Sequence, residues 1–290
     1  TVLPEVAKED CFALHGGTAI NLFIRNMPRL SVDIDLTYLP LEDRSVSLQG
    51  ISKALMRIKK NIATTFSLFR VQHLEREAKL LISSSEASIK IEVNLIKRGC
   101  YEKPQHLALC SKAQDVFKAY TEMAVVEPGH LFGGKICAAL DRQHPRDFFD
   151  IKYMLEQEGF TSIIKKGFIF YLISSNRPVV EMLFPKDKDQ RQAFNNQFLG
   201  MTKEKFDYAE YEETRRILVN TINSSLTNED KAFLWRIEKG EPDWNIYDFS
   251  QFPAVQWKLQ NINTLKKQNP LKHKQLYQKL EMEFSKFNVQ

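Results

Sequence analysis

Cysteine is scarce and scattered. Four occur, at positions 11, 100, 110 and 137, and none forms a Cys-x-x-Cys pair or joins a histidine cluster. That spacing argues against a structural zinc site and against a disulfide-stapled scaffold. Reduced, mostly buried thiols in a cytoplasmic protein are the simplest reading. Long apolar runs are missing too. None reaches the ~18 residues that a membrane span needs, so no membrane partner is expected. The opening TVLPEVAKED carries acids and no apolar stretch, which does not read as a secretory signal. Internal repeats and low-complexity tracts are absent, excluding solenoids and compositional linkers. Neither charge sign dominates. Lys and Arg number 41 against 36 Asp and Glu, a net +5 that permits a nucleic-acid partner without requiring one.

What is present suits a globular enzyme. The 290 residues, 43% hydrophobic and 27% charged, can bury a substantial core in one large or two smaller domains. In LSVDIDLTYL, Val32, Ile34 and Leu36 alternate with Ser31, Asp33 and Asp35, the period of a strand. In ASIKIEVNLI, Ile89, Ile91 and Val93 point one way and Lys90, Glu92 and Asn94 the other. KLLIS at 79–83 is placed to pair with it across SSSEA, and SLQGISKALMRIKKNIA has helical spacing between these strands. From about 114 onward the pattern reads as helical. Pro128 and Pro145 suit the first turns of two successive helices.

The chemistry concentrates on one strand face. Residues i and i+2 of a strand project together, so Asp33 and Asp35 share a side with Ser31. Two carboxylates that close repel unless a cation sits between them, and Mg²⁺ or Mn²⁺ prefers oxygen ligands. Alone, an Asp-x-Asp pair is as readily a solvated face. Three features favour a metal. Glu92 supplies a third acid on another strand, Gly16-Gly17-Thr18 precedes the pair at the start of an apolar-periodic segment, and Arg25 and Arg29 lie just upstream. Glycines permit close backbone approach, and N–H groups at a helix start can hold phosphate. Such a set serves nucleotidyl transfer. It also serves a metal-dependent nuclease, and a non-catalytic RNA- or protein-binding module is the third reading. The glycine segment distinguishes the first from the second, because a nuclease has no triphosphate to cradle. GHLFGGKI nearly matches a phosphate-binding loop, but Ile136 stands where a hydroxyl is needed.

Two blocks together resemble a known family. HGGTAINL followed by RLSVDIDL, and then KICAALDRQHPRDFFD, are similar to the AbiEii/AbiGii nucleotidyltransferase toxins, the group that includes MenT toxins. More distantly they resemble the DNA polymerase β-type nucleotidyltransferase superfamily. The interval from Thr18 to Asp33 is longer than in the superfamily signature, and Thr18 replaces the usual serine while keeping a hydroxyl. The resemblance implies an α+β fold, a nucleotidyltransferase-type mixed β-sheet with helices followed by a mainly helical C-terminal domain. Residues 1–125 would be the catalytic core. Residues 126–290 would complete the active site, lying in the cleft between the two, and bind the acceptor. It implies Asp33 and Asp35 as metal ligands, with Glu92 as the third acid. Gly16, Gly17, Thr18, Arg29, Ser31 and Lys135 would hold the nucleotide, and Asp150 would have an essential role. Arg142, Arg146 and Asp147 would support the site. The implied reaction transfers NMP from an NTP, GTP or CTP, to a tRNA 3′ end or other RNA. The implied setting is a toxin–antitoxin or abortive-infection system with a cognate antitoxin.

Some features remain open between function and packing. Asp147 and Asp150, three apart, share a helix face, while Phe148, Ile151 and Leu155 form an apolar stripe. Gly133, Gly134 and Ala138 leave room beside Lys135 for a ligand. Lys258, Lys266, Lys267, Lys272, His273, Lys274 and Lys279 lie in a stretch without acids, which fits an RNA backbone or a solvated helix face equally. The aromatics at 233, 235, 244, 249 and 252 read as core.

Overall fold

A computed structural model describes residues 1–287. The strands are β1 (Phe12–His15), β2 (Asp33–Tyr38), β3 (Arg70–Leu74), β4 (Lys79–Ser83), β5 (Ser88–Val93), β6 (Gln105–Ala108) and β7 (Glu122–Val125). Among them run helices α1 (Leu3–Val6), α2 (Gly16–Ala19), α3 (Arg44–Thr65) and α4 (Ser111–Phe117). The rest of the chain is helical: α5 (Pro128–Arg142), α6 (Pro145–Gln157), α7 (Ser162–Ile173), α8 (Val179–Leu183), α9 (Arg191–Gln197), α10 (Tyr208–Ser225), α11 (Asn228–Lys239), α12 (Pro253–Gln268) and α13 (Pro270–Phe287). The fold is therefore α+β, a mixed sheet followed by a mainly helical region. The chain condenses into two compact units. One is Thr1–Glu127 with the short segment Met201–Glu204, and the other is Pro128–Gly200 with Lys205 onward.

In the first unit the seven strands form one sheet in the order β3-β4-β5-β2-β1-β7-β6. β2 pairs with β1 antiparallel and with β5 parallel, and β1 pairs with β7 parallel. The alternation in the sequence explains the faces. Ile34, Leu36, Ile91 and Val93 are buried, while Asp33, Asp35, Lys90 and Glu92 lie on the other side, partly open. The KLLIS segment pairs with β5 in register across residues 84–87, as its pattern predicts. Helix α3 buries Ile51, Leu55, Ile58 and Ile62, spaced four and three apart, and packs on β3 and β4. The segment 201–204 returns to this unit: Leu30 N–H donates to the Met201 carbonyl at 2.8 Å, and the Thr202 hydroxyl donates to the Pro28 carbonyl at 2.8 Å.

One expectation changes. The helical reading from 114 onward misses β7, a four-residue strand that pairs with β1 through Leu14 and Val125. Four residues carry too little periodicity to mark a strand, and β7 is held on its other side by β6, an equally short strand paired with it over Gln105–Ala108.

In the second unit, α5 and α6 start at Pro128 and Pro145, as the prolines indicate. Residues 129–135 lie within α5, so their amides serve a helix and not a phosphate-binding loop. Phe233, Phe249 and Phe252 are buried, in agreement with the core reading, while Trp235 and Trp244 are only half-buried. Two cations of the acid-free stretch prove to be core. Lys258 is buried 3.3 Å from Glu238 and donates to the Arg177 carbonyl, and His273 is buried against the Glu238 carbonyl at 2.9 Å. Lys267, Lys272, Lys274 and Lys279 are exposed.

Gly133 is a packing residue. A β-carbon there would collide with the backbone of Gly167, so the absent side chain lets α5 and α7 meet backbone to backbone. The space beside Lys135 that Gly133 was expected to leave for a ligand is thus taken by α7. We expect Gly133→Ala to lower unfolding stability by about 3 kcal/mol, the upper range for overpacking a rigid contact. Denaturant titration of both proteins measures this, and an unchanged midpoint would show that the helices separate without cost.

Candidate active site

The first cluster forms where β1 ends. His15 is extended, and Gly16 then adopts φ +72°, a left-handed conformation that turns the chain into α2 and a π-helical turn at Ile20–Ile24. The positive φ calls for glycine here, and a β-carbon at Gly16 would also push the Asp35 carboxylate aside. At Gly17, a β-carbon would stand 3.0 Å from Arg29 Nη2 and 3.3 Å from Ser31 Oγ. Gly16, Gly17, Arg29, Ser31 and Asp35 therefore converge, as their motif suggests. Thr18 is buried. Its hydroxyl donates to the Asp33 carbonyl and lies 2.9 Å from the Ser31 hydroxyl. Its one proton is spent on Asp33, so Ser31 is the donor between the two hydroxyls. Thr18 thereby ties the glycine turn to the start of β2. Arg29 is buried, and its Nη1 donates to the Leu30 carbonyl at 2.7 Å.

The carboxylates stand on the partly open face of β2 and β5. The parallel register sets Asp33 beside Lys90 and Asp35 beside Glu92. Lys90 Nζ lies 3.7 Å from Asp33 Oδ1 and 3.3 Å from Glu92 Oε2, and Lys79 Nζ lies 3.6 Å from Glu92 Oε1. Among the described residues no three His, Cys, Asp or Glu side chains are grouped to hold a metal. Asp33 and Asp35 by themselves fit a hard divalent cation. They are two neighbouring carboxylates on one face, and Mg²⁺ commonly takes one or two protein carboxylates with substrate phosphates completing its shell. Glu92 is nearby but engaged by two lysines, which sequence reading did not foresee. The alternation that put Glu92 on the polar face put Lys90 there as well.

The second cluster lies within the helical unit. Lys135 of α5 is buried, with its Nζ 3.1 Å from Asp147 Oδ1 and 2.9 Å from Asp150 Oδ2 of α6. Arg142 bonds Asp147 through Nε at 2.5 Å and Nη2 at 2.9 Å, a two-point contact from an otherwise exposed side chain. The i,i+3 spacing of the two acids delivers both to one ammonium. Burial by itself would raise the Asp147 carboxyl. The Lys135 charge and the Arg142 bonds outweigh it and hold the group well below the ordinary carboxylate range. Arg146 contributes its backbone N–H, which the His144 cap accepts at 3.1 Å, fixing the start of α6.

The turn between α5 and α6 holds a residue that sequence gives no reason to notice. Gln143 is buried with φ +54°, a left-handed conformation uncommon outside glycine and asparagine. Its side chain donates to the Lys186 carbonyl at 2.8 Å and accepts from the Lys188 N–H at 2.9 Å, and its carbonyl accepts from the Tyr211 hydroxyl at 2.8 Å. These bonds hold the turn that brings Arg142 back onto Asp147.

Comparison with known proteins adds to this geometry. A family model described as "Nucleotidyl transferase AbiEii toxin, Type IV TA system" matches residues 1–261. Among solved structures, the chain is similar to MenT4, nucleotidyltransferase toxin Rv2826c from Mycobacterium tuberculosis H37Rv. The identity is 14% and the TM-score 0.62, over 90% of this chain and 89% of that one. At that identity the likeness is one of fold. No curated protein matches in sequence.

The helical cluster makes a definite prediction. Lys135→Ala leaves two buried carboxylates facing each other, and breaking a buried pair costs about 3–5 kcal/mol. Equilibrium unfolding near neutral pH measures this, and a loss below about 1 kcal/mol would mean that water reaches the acids. The lowered Asp147 group also sets a sign. Its stabilisation is fully present above the ordinary aspartate value of 3.8 and is lost as pH falls through the lowered one. Asp147→Asn should therefore destabilise the protein at neutral pH and make much less difference in strong acid.

Proposed function

This chain belongs to the AbiEii family of nucleotidyltransferase toxins, and from that membership we propose how its own residues carry out the transfer. The family is one of type IV toxin–antitoxin systems, and it brings a nucleoside triphosphate as substrate and an antitoxin as counterpart. The proposed reaction is attack of an acceptor hydroxyl on the α-phosphate, with pyrophosphate leaving. The observation that carries this assignment is the Asp33–Asp35 pair facing out of β2, with the Gly16 turn packed directly against Asp35.

Asp33 and Asp35 hold the divalent cation in this reading, and Glu92 stands by as the third acid. Such a cation, Mg²⁺ or Mn²⁺, lowers the barrier by polarising the α-phosphate and favouring the ionised acceptor oxygen. Gly16 and Gly17 bring the backbone close to the triphosphate, and Arg29 and Ser31 supply a charge and a hydroxyl beside it. Thr18 acts through its bond to Asp33, setting the turn against β2. We assign the transfer chemistry to residues 1–125, while 126–290 contribute Lys135 for the triphosphate and a surface for the acceptor. Asp150 orients Lys135. Asp147, Arg142 and Arg146 keep the start of α6 in place.

The acceptor in this proposal is RNA, with the tRNA 3′ end first, and the donor is GTP or CTP. The exposed lysines of α12 and α13, Lys267, Lys272, Lys274 and Lys279 among them, are compatible with a phosphate backbone. No helix among the described residues is long and apolar enough to cross a membrane. We place the reaction in the cytoplasm, where triphosphates and tRNA are at hand.

The test is incubation of the purified chain with each α-phosphate-labelled triphosphate, Mg²⁺ and total RNA, beside Asp33→Ala and Asp35→Ala. Label on RNA from one nucleotide, reduced roughly 10²–10³-fold in the folded variants, is the expected outcome for loss of a preorganised electrostatic group. Full activity in a folded Asp35→Ala protein would remove the pair from the mechanism. Label on protein would redirect the acceptor, and RNA shortened without label would point to hydrolysis.

A further inference from the structure

Lys90 is a cation placed among the carboxylates, and no role for it follows from the transfer reaction as set out above. It projects from β5 on the same face as Glu92, one strand over from Asp33 and Asp35. Its ammonium lies 3.7 Å from Asp33 Oδ1 and 3.3 Å from Glu92 Oε2. Lys79, in register with Glu92 from β4, takes the other oxygen, Oε1, at 3.6 Å. Glu92 is thus held between two lysines, one on each oxygen, and Asp33 shares the nearer of them. Lys79 is shared with Glu77, its nearer partner at 3.1 Å, so the acids on and beside this face outnumber its two ammoniums. A third acid so engaged is a weak ligand for a divalent cation, and Asp33 must give up Lys90 to become a good one. Lys90 can move, since its side chain is 35% exposed and, among the described residues, its ion pairs are these two alone.

We propose that Lys90 is a positioning residue that competes with the divalent cation for Asp33. Cation binding at Asp33 and Asp35 exchanges the ammonium for the metal, and Lys90 turns outward with Glu92. The exchange sets the affinity of the site. With Lys90 in place the cation binds weakly to the protein alone. A triphosphate, which brings four negative charges of its own, offers Lys90 a new partner and tips the exchange toward the metal. Lys90 thereby couples cation binding to the arrival of nucleotide.

This inference rests on the metal reading of Asp33 and Asp35, and one experiment separates the two. Mn²⁺ is titrated into the full chain without nucleotide, with bound ion followed by electron paramagnetic resonance. The set comprises the wild type, Lys90→Met, Lys90→Arg and Asp35→Asn, each confirmed as folded by its thermal transition. Removing one positive charge at roughly 5 Å from a divalent ion, even with water-like screening, should tighten binding about tenfold or more. Lys90→Met is expected to show that gain, Lys90→Arg to bind like the wild type, and Asp35→Asn to lose binding. A repeat with a non-hydrolysable triphosphate should shrink the difference between wild type and Lys90→Met. If Lys90→Met binds no more tightly while Asp35→Asn still abolishes binding, the competition is overturned and the metal reading stands. If Asp35→Asn binds Mn²⁺ as the wild type does, or if no variant binds it, both are overturned.

Discussion

The parallel pairing of β2 with β5 decides which charges meet in this protein. Asp33 lies beside Lys90 and Asp35 beside Glu92 because Ile34, Leu36, Ile91 and Val93 must all enter the core together. A slip of one residue in either strand would turn its isoleucines outward and its charges inward, so burial on one face enforces the arrangement on the other. The glycine turn depends on the same constraint. Gly16 meets Asp35, and Thr18 bonds the Asp33 backbone, only when β2 sits in this register against β1. A hydrophobic requirement on one side of a sheet thus fixes an electrostatic pattern on the other.

The helical unit handles charge in the opposite way. There Lys135, Asp147 and Asp150 are taken out of water together, and Arg142 reaches in from the surface to balance the second acid. Buried ion groups of this kind seldom contribute more stability than apolar residues of equal size. What they secure is geometry, since each of the four is held by a bond that a shift of α5 against α6 would break. The left-handed Gln143 belongs to the same economy of position. Its conformation costs on the order of 1 kcal/mol, offset by three hydrogen bonds that the turn would otherwise lack. Gly133 completes the frame by letting α5 meet the α7 backbone at Gly167.

Much of this was readable in the sequence wherever a local pattern determined the outcome. Alternation in 31–36 and 88–93 marks the two strands that matter, and Pro128 and Pro145 mark two helix starts. The i,i+3 acids 147 and 150 announce a shared face. What stayed hidden was settled by distant partners. β7 is too short to show a period, and the π-helical turn at Ile20–Ile24 has no compositional sign. Lys258 and His273 look solvated in a run of lysines, yet Glu238 draws both into the core. Lys90 was legible as a residue of the polar face. Its grip on Glu92 was not, because which of two neighbouring charges pairs with a third depends on side-chain reach across a strand pair.

The return of residues 201–204 to the first unit bears on when the protein becomes whole during synthesis. The arm just ahead of β2, from Pro28 to Leu30, is fastened by bonds to Met201 and Thr202. Every strand of the sheet precedes residue 126. A ribosome can therefore release the complete sheet long before it has translated the piece that pins the arm carrying Arg29. The last fastening waits until some seventy further residues have emerged, at roughly 5–20 residues per second. Assembly is thus ordered by translation itself: the unfinished chain carries the acids but lacks the clasp.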